Sequence, residues 1–154
     1  MDAIGEGISV RCEIAIAASP KTVWSFLVDP DKALRWMGSW ANLDPHPGGH
    51  YRVEVNPGRV ASGEFLEVEP PRRLVHTWGW EPGSGSPVPP GSTTVEFELI
   101  PDGQGTLLRL THRSLPDPAS AASHGRGWEH SLARLAAVAA GGDPGGDPWI
   151  AQTP

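Results

Sequence analysis

The sequence predicts an α+β domain in which a long C-terminal helix lies against one face of an antiparallel sheet. Three observations predict it. Segments between residues 50 and 112 alternate apolar and polar residues, the period of strands with one wet face. Three helix starts share one signal, a Ser or Asp cap followed by Pro, at Ser19–Pro20, Asp29–Pro30 and Asp117–Pro118. From Trp128 onward, Leu132, Leu135, Ala136 and Ala139 recur at helical spacing as a single stripe.

Taken in order, residues 8–17 alternate Ile8, Val10, Cys12 and Ile14 with polar neighbours and read as a strand. The helix from Pro20 carries Val23, Trp24, Phe26, Leu27 and Val28; the short helix from Pro30 carries Leu34, Trp36 and Met37. A weaker strand is expected at 39–44. Strands follow at 50–55 (Tyr51, Val53, Val55 inward) and 60–70, with Gly63 as a candidate bulge. The strand at 73–81 places Leu74, His76, Trp78 and Trp80 on one row, and 93–100 places Val95, Phe97 and Leu99 on another. PDGQG is a tight turn into 106–112. Pairing Ile100 with Gly105 there would set Phe97 opposite Leu108 and Val95 opposite Leu110. Segments 82–92 and 141–154 are Gly/Pro/Ser-rich and aperiodic. In the last helix, Gly127 is expected to let helix and sheet approach where Trp128 enters, and the alanines beyond to leave room.

Composition narrows the function. The chain has 154 residues, 38% of them hydrophobic, enough for one domain with a core. Seven Trp against one Tyr and three Phe supply wide, rigid apolar surfaces suited to a core or a pocket wall. A net charge of −6 argues against nucleic acid and anionic membranes as partners. The single cysteine, Cys12, allows no internal disulfide and no zinc finger. No run approaches a membrane span and the N-terminus lacks a secretory signal pattern, so a soluble cytoplasmic protein is expected.

Local motifs in their order carry a resemblance. SPKTVWSFLVDPDKALRWM, PGGHYRV, GEFLEVEPPRRLVHTWGW, TTVEFELIPDGQGTLLRLTH and GWEHSLARL span about residues 8 to 140. The chain resembles the family named after the activator of the heat-shock-protein-90 ATPase, within the START-like, helix-grip superfamily that also holds polyketide cyclases. The resemblance implies a curved sheet of about seven strands around the long C-terminal helix. A cavity would lie between them, and two short helices would close one end. A domain over 1–141 with a flexible Gly/Pro-rich tail at 142–154 is expected. The resemblance also implies an apolar small-molecule ligand, because the superfamily mostly binds such molecules. The namesake co-chaperone role, which also uses a separate chaperone-binding domain, is not expected.

The expected ligand-binding set is Trp36, Met37, Trp40, Tyr51, Val53, Phe65, His76, Trp78, Trp80, Phe97, Leu110, His112, Trp128 and Leu132. Each aromatic has core as its plain alternative. His76 shares a row with Leu74, Trp78 and Trp80, where family members often carry Phe; it would orient a ligand or be a satisfied core histidine. His112 would hold the junction with the last helix or reach the pocket. A His76–His112 metal pair lacks a third ligand in sequence, so no metal and no cofactor are expected. His46 and His50 flank a turn. His124 and His130 are six apart, unlike a metal pair on one helix face. Glu67 and Arg73 are read as a strand–turn ion pair. No nucleophile or phosphate-loop motif occurs. Binding of a hydrophobic or aromatic molecule without catalysis is the leading expectation. A cyclase-like enzyme using His76 or His112 is the alternative, and an interaction module docking through Trp149 is the third. A homodimer is left open.

Overall fold

A computed structural model describes residues 7–148. The elements run β1 (Ile8–Ile16), α1 (Pro20–Val28), α2 (Pro30–Ala33), β2 (Trp40–Leu43), β3 (His50–Asn56), β4 (Arg59–Glu69), β5 (Arg73–Trp78), β6 (Thr93–Asp102), β7 (Gly105–Leu115) and α3 (Pro118–Ala139). The strands form one curved antiparallel sheet in the order β1-β7-β6-β5-β4-β3-β2. α3 lies along β1 and reaches β7 and α1, which makes the two-layer α+β helix-grip architecture. Among the described residues no helix is long and apolar enough to cross a membrane.

The helix starts follow their capping chemistry. Ser19 accepts from the Thr22 N–H, Asp29 from the Asp31 and Lys32 N–H groups, and Asp117 from the Ser120 N–H. Each cap satisfies a donor that the first helical turn leaves unpaired, and each is followed by Pro at a position that needs no N–H. α2 is shorter than its apolar pattern suggests. It ends at Ala33, so Leu34 is left partly exposed, while Trp36 and Met37 reach the core from the turn that follows. The Trp36 indole N–H donates to Phe26 O (2.9 Å) and ties that turn to α1.

Three local expectations are corrected. First, the bulge in β4 is at Leu66, not Gly63. Phe65 pairs with His76 and Glu67 with Val75, so Leu66 is the extra residue, and it is 45% exposed. Gly63 instead permits close approach: a Cβ there would lie 2.0 Å from Thr77 O on β5. Second, β6 runs on through Pro101 and Asp102, and the hairpin turn is Gly103–Gln104, with Gly103 at φ 61°. The register therefore sits two residues from the expected one: Phe97 faces Leu110 and Val95 faces His112. A slip of two keeps every side chain on its face, so the apolar rows survive. Third, Gly127 does not mark a close approach, because a Cβ there would meet nothing within 4 Å.

The core joins α1, the turn after α2, the inner face of the sheet and the α3 stripe of Trp128, Leu132, Leu135, Val138 and Ala139. On the outer face Glu96, 4% exposed, is held between Arg73 and Arg113. Burial alone would raise its pKa; the hydrogen bonds and charges of Arg113 and Arg73 outweigh that and lower it. Arg73 also pairs with Glu67 at 3.1 Å. Beyond α3 the chain turns back along the helix. Arg134 donates to Gly145 O (2.9 Å), and His130 meets Asp147 at 2.9 Å. Trp149 lies outside the described residues.

Candidate ligand cleft

Strand β5 sends the row Leu74, His76 and Trp78 inward, and Trp80 continues it just past the strand, where its backbone N–H donates to Val88 O in the 82–92 connection. Opposite, α3 presents Ser120, His124, Trp128 and Ser131. The two surfaces face each other at the end of the helix that carries Ser120, His124 and Trp128. There they leave a cleft of about 570 Å³ walled by Met37, Trp78, Trp80, His124 and Trp128, with Arg59, Ser86, Asp117, Arg126 and Gly127 among its lining.

The aromatic wall is built by mutual packing. Trp78 lies 5.4 Å from Trp80 at 82° and 5.1 Å from Trp128 at 52°, ring centre to ring centre. Two of the three indole N–H groups are spent on histidines. Trp128 donates to His112 Nδ1 (3.0 Å), and Trp80 donates to His124 Nε2 (3.0 Å). Those bonds fix the histidine tautomers. With Nδ1 accepting, His112 carries its proton on Nε2 and donates to Thr93 Oγ1 (2.8 Å), whose hydroxyl in turn donates to Trp78 O (2.8 Å). With Nε2 accepting, His124 carries its proton on Nδ1 and donates to Ser120 O (2.8 Å). Burial lowers the pKa of both rings; His124 and His76 further disfavour a charge on His112, and Arg59 does so on His124, so both are neutral. The third indole differs: Trp78 is 3% exposed and its N–H has no partner among the described residues.

Deeper in, between sheet and helices, the interior is filled. The void bounded by Trp36, Tyr51, Val53, Leu74, His76 and Phe97 measures only about 10 Å³, near the lower limit for one water. His76 is 1% exposed and stacks on Tyr51 at 3.9 Å; its Nδ1–H donates to Thr77 O (2.8 Å), and Nε2 has no partner. Burial pushes its pKa down to about 4.

The structure thus divides the sequence-predicted set. Met37, Trp78, Trp80 and Trp128 line the cleft. Trp36, Tyr51, Val53, His76 and Phe97, with Met37 again, surround the small internal void. Phe65, Leu110, His112 and Leu132 are buried in the core behind these walls, and Trp40 sits on β2 under the Arg52 guanidinium (5.2 Å). The room also lies elsewhere than expected. It opens beside Ser120, Ser123 and Gly127, and neither Ala136 nor Ala139 lines it. Sequence reasoning passed over His124, Arg59 and the serines. The missed signal was the stripe itself: stepping back four residues at a time from Trp128 gives His124 and Ser120.

A curved antiparallel sheet gripping a C-terminal helix, with an aromatic cleft at one end, defines the START-like helix-grip class. The profile described as "Activator of Hsp90 ATPase homolog 1-like protein" matches residues 17–140, and the chain belongs to that family. Among solved structures, it is similar to the AHSA1-like protein from Rhizobium etli, at 49% identity over 96% of this chain and 91% of that one (TM-score 0.74). It is also similar to CalU16 from Micromonospora echinospora, at 34% identity over 91% and 70% of the two chains (TM-score 0.74). DynU16, a protein in the dynemicin biosynthetic locus, is 26% identical over 88% of this chain and 48% of that one (TM-score 0.75). No curated protein matches the chain.

Proposed function

We propose that the protein binds a hydrophobic or aromatic small molecule in the cleft between Trp78, Trp80 and Trp128, and performs no chemistry on it. The observation that carries this reading is the contrast between two spaces. A cleft of about 570 Å³ with three indoles in its wall falls in the size range of small-molecule sites, whereas the interior around His76 holds about 10 Å³. The similarity to DynU16, a protein in the dynemicin biosynthetic locus, is in keeping with it. The enzyme alternative needs a histidine with a free nitrogen facing the ligand. His112 and His124 have both nitrogens engaged, and His76 lies outside the cleft lining.

In this reading Met37, Trp78, Trp80 and Trp128 touch the ligand. The remaining expected residues hold the wall from behind. Gly127 supplies the test because it faces open space in the cleft. A panel of polycyclic aromatic compounds titrated into the protein is expected to quench tryptophan fluorescence saturably. Gly127→Phe is expected to abolish that response while keeping a cooperative thermal transition. Saturable binding that survives Gly127→Phe unchanged would remove the cleft as the site.

A further inference from the structure

The cleft is not uniformly apolar, and its charged groups without an ion-pair partner are arginines. Arg59, at the start of β4, lays its guanidinium 4.8 Å over the Trp80 ring, and its Nε is buried without a hydrogen-bond partner among the described residues. Arg126 stands exposed at the cleft, and neither arginine has an ion-pair partner among the described residues. Most other arginines of the sheet are paired: Arg52 with Glu81, Arg73 with Glu67 and Glu96, Arg109 with Glu13, Arg113 with Glu96. The cleft's own carboxylate, Asp117, is committed to capping α3 through the Ser120 N–H (2.7 Å). The Trp78 indole N–H is the second buried donor in this lining without an acceptor.

Buried donors without acceptors are costly, because they lose water and gain nothing in exchange. Two such residues in one lining, one of them a cation with no ion-pair partner among the described residues, in a chain of net charge −6, describe a site that favours an anion. We infer that the ligand is an aromatic acid: its ring system lies against the indoles, and a carboxylate or comparable oxyanion pairs with the Arg59 guanidinium beside Trp80. This rests on the cleft being the binding site and adds the chemical class of its occupant. Stacking on Trp80 holds the guanidinium plane in place before the ligand arrives, and a charge-assisted bond in a partly desolvated site is the strong kind.

The test is a matched pair of probes, 2-naphthoate and 2-naphthamide, which share shape and ring system and differ in charge. Both are titrated calorimetrically into the wild type and into Arg59→Gln and Arg59→Lys. The wild type is expected to bind 2-naphthoate about tenfold or more tightly than 2-naphthamide, the scale of one charge-assisted bond. Arg59→Gln is expected to erase that preference, so that the two probes bind alike, and Arg59→Lys to retain part of it through charge alone. Equal affinities in the wild type, or a preference that persists in Arg59→Gln, would overturn the acid assignment and leave the apolar cleft reading standing. Absence of binding by both probes would overturn the two together.

Discussion

His76 shows how burial settles a residue's role. A histidine in a Trp-rich row is a natural acid–base candidate, yet here it is enclosed, stacked on Tyr51, and held neutral with its pKa near 4. The consequence is a pH dependence of stability. The folded pKa lies below the unfolded value of about 6.5, so the unfolded chain binds more protons between those values and stability falls as pH drops through that window. His112 and His124 shift in the same direction and add to it. For His76 alone the loss approaches about 3 kcal/mol once pH is below 4, at ~1.4 kcal/mol per pKa unit. Chemical denaturation at pH 7 and pH 5 is expected to show the loss in the wild type and a smaller loss in His76→Phe. Equal slopes in both proteins would contradict the neutral-core assignment. The Trp128–His112 bond gives a second prediction. Trp128→Phe leaves His112 Nδ1 buried without a donor and opens space beside it, and is expected to cost about 2–4 kcal/mol in a denaturation experiment.

At the scale of elements, α3 is the informative case. Its start, its stripe and its end were legible, because the Asp117–Pro118 cap and the spacing from Trp128 are local chemistry. The position of the empty space was not, because it depends on how far β5 and the 82–92 connection stand from the helix. Composition suggested room beside the alanines, whereas Leu135 and Val138 join the core there and the aromatic cleft opens near Gly127. Gly127 therefore acts twice. As a mid-helix glycine it weakens α3, and as an absent side chain it keeps the cleft open. Gly127→Ala is expected to raise stability by about 0.5–1 kcal/mol in denaturant titration, since its Cβ meets nothing. Gly63→Ala is expected to destabilise by more than that, because its Cβ would collide with Thr77 O at 2.0 Å. The β6–β7 register was misjudged by two residues for a similar reason. Alternation fixes which face a side chain takes, but the turn decides its partner, and Pro101 and Asp102 extend the strand where a loop was expected.

For the whole molecule, the strands and the stripe of the last helix follow from alternation and three caps; the curved sheet around that helix was what the family resemblance implied, and the structure and the family match over residues 17–140 agree with it. The candidate site was half legible. Trp78, Trp80, Trp128 and Met37 announced themselves as large side chains on the right rows. Arg59 and His124 did not, because a hairpin arginine and a helix histidine acquire their surroundings only from the folded arrangement. The central claim is that the cleft, and not the filled interior, receives the small molecule. The indole N–H signals in a two-dimensional NMR spectrum report on it directly, since Trp78, Trp80 and Trp128 line the cleft while Trp36 borders the inner void and donates to Phe26 O. On titration with 2-naphthoate, saturable shifts are expected for the three cleft indoles, largest for the unpartnered Trp78, with Trp36 unmoved. A saturable shift of Trp36 with the cleft indoles unchanged would contradict it.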